Sequence, residues 1–145
     1  MRPIYEKPAD RANQLAVIKI LEGKYAGVKF EETEMLCPVD FQVKRDGKLS
    51  SIVEIKCRSY DSAAFKDYLI SSHKIRQAAA MAKHQGIKFI LVVKWLDRIV
   101  RIEITDDTLS QSRLGSGGRT DRNDSQDTEE CYYIPLSLFE TVHVY

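Results

Sequence analysis

The sequence predicts an α/β fold in which a helix, three strands, a second helix and two further strands follow one another. Two separate windows carry apolar residues at three- and four-residue spacing, and the segments between and after them alternate apolar with polar residues. Asp46-Gly47 between two β-type runs adds a strong hairpin signal. With 145 residues, 43% apolar and 30% charged, the chain has the material for one domain, 1–145, and is too short for two ordinary ones.

Pro8 suits the first turn of a helix. Ala12, Leu15, Ala16, Ile18 and Leu21 then form an apolar stripe that Gly23 ends, so a helix is expected over about 8–22. Residues 28–36 begin with alternating Val28 and Phe30 before an acidic stretch, the pattern of a strand with one wet face. Residues 39–44 and 49–57 form the arms of the hairpin. After Arg58 an irregular stretch with Tyr60, Phe65 and Tyr68 leads to Ser71-Ser72. Either serine can cap a helix whose stripe Ile75, Ala78, Ala79 and Ala82 ends at Gly86. Residues 87–96 and 99–104 read as strands joined by a tight turn at Asp97-Arg98, and the second helix can cross between strands. Thr105 to Glu130 holds only Leu109 and Leu114 as large apolar residues, so a long polar loop is expected at about 105–130. An apolar pattern resumes at Tyr132, and Ser137 is placed to cap a short turn through Phe139 and Val142.

Composition excludes several classes. Charges interrupt every apolar run well short of the roughly 20 residues that cross a bilayer. The first eight residues lack the apolar region of a secretory signal, so a cytoplasmic protein without a membrane partner is expected. Cys37, Cys57 and Cys131 are odd in number and lack metal-ligand spacing, favouring reduced thiols over a disulfide framework or a zinc site. The net charge of +1 conceals an uneven distribution: thirteen basic residues face five acidic ones between Val43 and Arg101. Such a basic middle suits a phosphate-binding face as well as a solvated surface.

The chemistry lies in Glu54-Ile55-Lys56. Side chains two apart on a strand share a face, so Glu54 and Lys56 project side by side from an otherwise apolar run. Burying both ions would cost roughly several kcal/mol without partners, a metal or water. Asp40 on the other arm is the nearest partner. A two-residue Asp46-Gly47 loop would set Asp40 opposite Val53, on the wrong face. A three-residue loop from Arg45 to Gly47 pairs Lys44 with Lys48 and sets Asp40 opposite Ile52, on the face of Glu54 and Lys56. The three-residue loop is therefore expected, with Val39, Phe41, Val43, Val53 and Ile55 forming the opposite, apolar face. Two converging carboxylates make an oxygen site suited to Mg²⁺ or Mn²⁺, beside an ammonium able to orient water. A cross-strand salt bridge is the bland alternative.

Asp40, thirteen intervening residues and Glu54-Ile55-Lys56, with an amphipathic helix before and after, resemble the PD-(D/E)xK nuclease superfamily, especially its small Holliday-junction-resolvase-like and VRR-Nuc-like members. The resemblance implies a restriction-endonuclease-like αβββαβ core, a mixed central sheet flanked by helices, and Mg²⁺-dependent hydrolysis of DNA, branched DNA included. It implies Asp40, Glu54 and the Ile55 carbonyl as metal ligands and Lys56 as the catalytic lysine. Glu6 would be the supporting acid on the first helix, with Asp10 and Glu22 as rivals. Lys74 and Gln77 on the second helix, with Arg58 and Arg119, are the expected nucleic-acid contacts. Symmetric cutting of two strands implies a homodimer, joined through the 87–104 hairpin or the C-terminal aromatic strand. A non-catalytic nucleic-acid-binding or assembly module on the same scaffold is the alternative, and cleavage of RNA would share the chemistry.

Other residues have plainer readings. His73, His84 and His143 lack mutual ligand spacing and suit surface or capping roles. Cys57 faces away from Lys56 as a small hydrophobe. Trp95 suits packing or a dimer contact better than base stacking. The stretch 115–119 lacks the Gly-Lys-Ser/Thr ending of a phosphate loop, though Arg113, Arg119 and Arg122 could touch a nucleic-acid backbone from it.

Overall fold

In the computed structural model, which describes residues 8–34, 37, 39–118 and 128–145, the chain opens with helix α1 (Pro8–Lys24). Its buried line is Gln14, Val17, Ile18 and Leu21. That line is rotated from the expected stripe: Leu15 is 50% exposed and Ala12 and Ala16 also face solvent. Burying Val17 in place of small alanines removes more apolar area from water, which favours this docking face.

Strands β1 (Val28–Glu32), β2 (Phe41–Arg45) and β3 (Lys48–Cys57) follow as an antiparallel meander. The β2–β3 turn has two residues, not three. Asp46 and Gly47 both have positive φ, 52° and 83°, the pattern of a type I′ turn, and Arg45 pairs with Lys48. The backbone bond from Asp46 N to Gly27 O, 2.9 Å, ties this tight turn to the loop after α1. Lys44 pairs with Leu49, but Val43 pairs with Ser51, so Ser50 is an extra residue in a β-bulge, its Oγ donating to Val43 O at 3.1 Å. Beyond the bulge Gln42 meets Ile52 and Phe41 meets Val53. One further step of this register sets Asp40 across from Glu54, not from Ile52. The bulge supplies the parity shift that the longer loop was expected to supply.

A 3-10 turn (Ser62–Ala64) and strand β4 (Asp67–Ser71) occupy the stretch expected to be irregular. Helix α2 (Ser72–Gln85) is capped by the Ser71 side chain, which accepts from Lys74 N, and stops at Gly86 in the left-handed region, φ 69°. Strands β5 (Lys88–Lys94) and β6 (Arg98–Glu103) come next. Helix α3 (Asp106–Ser110), strands β7 (Arg113–Gly118) and β8 (Thr128–Pro135), a 3-10 turn (Leu136–Leu138) and strand β9 (Glu140–Val144) complete the chain.

The expected polar loop at 105–130 is thus largely structured among its described residues. A reciprocal Thr105–Thr108 capping box starts α3, and Thr108 Oγ1 donates to Glu103 O at 2.8 Å. Leu114 and Gly115 of β7 pair with Tyr132 and Cys131. A Cβ at Gly115 would lie 3.1 Å from the Tyr133 ring, so this glycine accommodates a cross-strand aromatic where its type signals a loop.

Six strands form a mixed sheet in the order β1-β2-β3-β5-β6-β9, with β3 and β5 parallel and the other neighbours antiparallel. The β3–β5 connection contains α2, as a parallel pair requires. A second sheet runs β4-β8-β7. One face of the main sheet packs Phe41, Val43, Val53, Ile55 and Val92 against Val17, Ile18 and Leu21 of α1. The other packs Ile52, Phe89, Leu91 and Val93 against Ile75, Ala78 and Ala82 of α2 and against Tyr68, Ile70, Tyr132 and Ile134 of the second sheet. Val39 joins this second cluster and not the layer of Phe41 and Val43, because it precedes β2 and strict alternation does not govern it. No described helix is long and apolar enough to cross a membrane.

Candidate active site

Strand β3 outruns β2. The last ladder pair is Phe41 with Val53, so Glu54 to Cys57 continue beside β5 with no partner from β2. That gap is where the ionisable groups meet. The chain entering β2 is held by Thr33, whose N–H donates to Asp40 O at 3.1 Å and whose Oγ1 donates to Val39 O at 2.5 Å. Asp40 is thereby fixed at the mouth of the gap.

Glu54 is 1% exposed. Its Oε1 accepts from Lys74 Nζ at 2.8 Å, and Lys56 Nζ lies 3.2 Å from the same oxygen. Both lysine side chains stay about a third exposed, at 30% for Lys56 and 34% for Lys74. Glu54 Oε2 is buried and has no hydrogen-bond partner. Burial, followed by the charge of Glu54, pushes the Asp40 carboxyl up to about 6. Burial alone would lower the Lys56 ammonium, but the Glu54 and Asp40 carboxylates outweigh it and raise its pKa above the ordinary lysine value. The cluster therefore holds two carboxylates that repel each other and two ammoniums that relieve the strain.

A further side chain enters from α1. Gln14 Nε2 donates to Ile55 O at 3.1 Å and reaches Asp40 Oδ2 at 3.4 Å, while its Oε1 is buried without a partner. An amide is a neutral residue and matches no motif. Its signal in the sequence is positional: a polar residue opens the 14-17-18-21 helical series that becomes the buried face.

These donors fit a hard divalent cation. Asp40, Glu54 Oε2 and the Ile55 carbonyl are all oxygen donors, and a fully buried carboxylate oxygen without a donor is the kind of group a cation satisfies. Among the described residues no cluster of three His, Cys, Asp or Glu exists, so an all-side-chain site of zinc type is not formed there.

The other expected site residues are dispersed. Glu6, Arg119 and Arg122 lie outside the described residues. Glu22 Oε2 accepts from Phe30 N at 2.9 Å, away from the cluster, while Gln14 of α1 reaches it. Gln77 does not accompany Lys74: it is exposed and lines a surface depression with His73, Arg76 and Glu129. Arg58 Nη2 donates to Tyr68 Oη at 2.7 Å, with its guanidinium over the Tyr68 ring. Arg113 lies 3.6 Å from Asp67 and stacks on Tyr133. Trp95 is 2% exposed and packs in the core.

A family model described as "Phage putative PDDEXK endonuclease" matches residues 1–142. No curated protein matches the chain significantly. Among solved structures, Hjc of Archaeoglobus fulgidus, a Holliday junction resolvase from an archaeal hyperthermophile, superimposes with a TM-score of 0.54 at 13% identity, covering 88% of this chain and 88% of that one. That likeness concerns the fold, a restriction-endonuclease-like mixed sheet with helices, and with β4 set aside in the second sheet the order of α1, β1, β2, β3, α2 and β5 is the αβββαβ order expected. The match over nearly the whole length settles the lineage: the chain belongs to the phage PDDEXK endonuclease family.

Proposed function

We propose that the protein is a Mg²⁺-dependent endodeoxyribonuclease, with Mn²⁺ as an alternative ion, whose site is Asp40, Glu54 and Lys56. The observation that carries this reading is the unpartnered Glu54 Oε2, buried in a carboxylate that is 1% exposed and set in the same gap as Asp40 and Ile55 O. Asp40, Glu54 and the Ile55 carbonyl would hold the ion. When bound, such an ion polarises a phosphoryl oxygen and lowers the pKa of a water. Lys56 stays protonated at neutral pH and partly open to solvent, so its ammonium can orient water and offset charge developing on the phosphoryl group. Lys74, rooted in the first turn of α2, shares Glu54 Oε1 and frees Lys56 from balancing that carboxylate alone. Glu6 belongs to the proposal as a supporting acid, and Arg58, Gln77 and Arg119 as backbone contacts.

Branched DNA is the proposed substrate and a homodimer the proposed assembly, since paired cuts require paired sites. The outer edge of the β5–β6 hairpin is already occupied by β9, which makes β9 the edge strand on that side among the described residues. Purified protein with Mg²⁺ should cut a four-way junction in preference to linear duplex and should sediment as a dimer. Lys56→Ala should abolish cutting while keeping the unfolding transition. Undiminished cutting by Lys56→Ala would overturn the assignment, and equal cutting of the RNA counterpart would overturn the choice of DNA.

A further inference from the structure

Helix α1 does not cover the whole of its face of the main sheet. Beside Leu21 a recess of about 320 Å³ opens between the end of the helix, β1 and the first half of β3. Its floor is Val43, Val53, Ile90 and Val92, and the side chains of Tyr25 and Phe30 wall it. Ser50 and Ser51 both line it, which consecutive residues of a regular strand do not do; the β-bulge at Ser50 accounts for the pair. Val53 and Ile55 belong to the layer under α1, so Glu54 and Lys56 leave β3 from the opposite face and the recess is separate from the proposed site.

Three cations, Arg45, Lys88 and Arg101, stand around this floor, and no carboxylate lines it. The strand period places them there. Arg45 follows Val43 by two residues, Lys88 precedes Ile90 by two, and Arg101 pairs with Val92 across the β5–β6 ladder. None of the three is in an ion pair among the described residues, and Arg101 lies over the Tyr25 ring, 5.9 Å from its centroid. The neighbouring carboxylates are engaged elsewhere. Glu22 accepts from Phe30 N at 2.9 Å, Glu31 lies 3.3 Å from Lys44, and Asp46 rests against Gly27. Glu103 and Glu140 line a different depression with Asp107, one that Arg101 also borders.

We infer that this recess binds a small apolar anion: a body of about two rings, or a short acyl chain, bearing one carboxylate, sulfonate or phosphate. An apolar cavity of about 150 Å³ holds a benzene, so about twice that volume suits two rings, at the small end of ligand pockets. The floor takes the apolar body, and the unpaired cations at its rim take the head. A protein partner is disfavoured by shape. None of the well-exposed large apolar side chains among the described residues lines the recess, whereas a stable protein interface needs about 800 Å² on each side with an apolar centre. The inference does not depend on the nuclease reading.

Two-dimensional NMR of the full chain in EDTA, titrated with 2-naphthoate, tests it. Naphthoate should shift the amides of Val43, Val53 and Ile90 with one-to-one stoichiometry and a Kd of about 100 µM or less. Neutral 2-naphthol should bind there about tenfold more weakly, and inorganic phosphate should leave these amides unmoved. Arg45→Ala with Lys88→Ala should weaken naphthoate to the level of naphthol and leave naphthol within about twofold. Val28→Trp, which fills the recess from an edge strand, should remove both ligands and melt with the wild type. Octanoate separates the two bodies: tighter binding than naphthoate assigns an acyl chain, weaker binding an aromatic acid. Equal binding of naphthoate and naphthol, matching shifts with phosphate, or shifts confined to other amides would each overturn the inference. Displacement of naphthoate by duplex DNA would also overturn it, as would a sedimenting dimer that Val28→Trp dissolves, since the occupant would then be a nucleic-acid backbone or a second copy of the chain.

Discussion

Gln14 of α1 donates its Nε2 hydrogen to the carbonyl oxygen of Ile55 at 3.1 Å, closing the gap that β3 leaves where it outruns β2. The same amide reaches Asp40 at 3.4 Å, so one neutral side chain touches two of the three proposed ion ligands. Gln14→Ala should cost about 1 to 2 kcal/mol in metal-free protein, because a buried carbonyl loses its donor. Gln14→Glu adds a third carboxylate beside Asp40 and Glu54. It should lower the metal-free melting temperature further and enlarge the rise that Mg²⁺ or Mn²⁺ produces. Thermal unfolding with EDTA and with each ion reads both effects, and an unchanged ion-induced rise would remove Gln14 from the ligand sphere.

Lys56 and Lys74 share Glu54 Oε1, yet different roles are proposed for them. Removing either leaves Glu54 with a single ammonium in a site where it is 1% exposed, so Lys56→Met and Lys74→Met should each destabilise the fold by about 1 to 3 kcal/mol. Cutting should separate them. Lys56→Met should lose at least about a hundredfold in kcat, within the range for a positioned proton-transfer or charge-stabilising group, while Lys74→Met should lose less and mainly in KM. Equal kcat losses would indicate that the pair acts as one unit.

Asp40 gives the metal-free protein an unusual pH dependence. Its folded pKa is about 6 against an ordinary value of 3.8, the reverse of the common salt-bridged aspartate. Above pH 6 both states are ionised and the folded state bears the full cost of the buried, Glu54-repelled charge. As pH falls from 6 toward 4 the folded protein takes up the proton first, so stability rises on acidification through this window. The gain is on the order of 1 to 2 kcal/mol once solvent screening at this part-exposed carboxyl is allowed for. Asp40→Asn should raise metal-free stability at pH 7 and flatten the profile between pH 4 and 6. Urea unfolding in EDTA at several pH values checks it, and a profile unaffected by the substitution would locate the titrating group elsewhere.

The elements surrounding the site were legible because each carries its own periodic signal and its own punctuation. Pro8 opens α1, Gly86 closes α2, and the Asp46-Gly47 turn lies between two alternating runs. Segments whose structure depends on partners were not legible. Strand β7 is rich in glycine and serine and exists because β8 pairs with it, and β4 is five residues long and stabilised by the same strand. Within the site, Asp40, Glu54 and Lys56 declared themselves through charge in apolar surroundings. Gln14 did not, because an amide draws attention only when its helical position is known to be buried. The hairpin parity was read correctly for the wrong reason, since a single bulged serine does the work assigned to a longer loop.

That bulge makes the register testable. Ser50 is the extra residue between the Lys44–Leu49 and Val43–Ser51 pairs, so deleting it leaves every later pair intact, Phe41 with Val53 included, and keeps Asp40 across from Glu54. In an unbulged hairpin with a three-residue loop, the same deletion would move Glu54 to the other face. Deletion of Ser50 should therefore change stability by no more than about 1 kcal/mol, since a lost Ser50–Val43 bond is offset by regular ladder pairing. Cutting should be retained. Ser50→Ala, which removes only the hydroxyl, should cost about 0.5 to 1 kcal/mol and leave cutting unchanged. Thermal melts and cleavage of the same DNA read both variants, and a folded deletion variant that no longer cuts would mean that the register, and with it the approach of Asp40 to Glu54, is set by the loop.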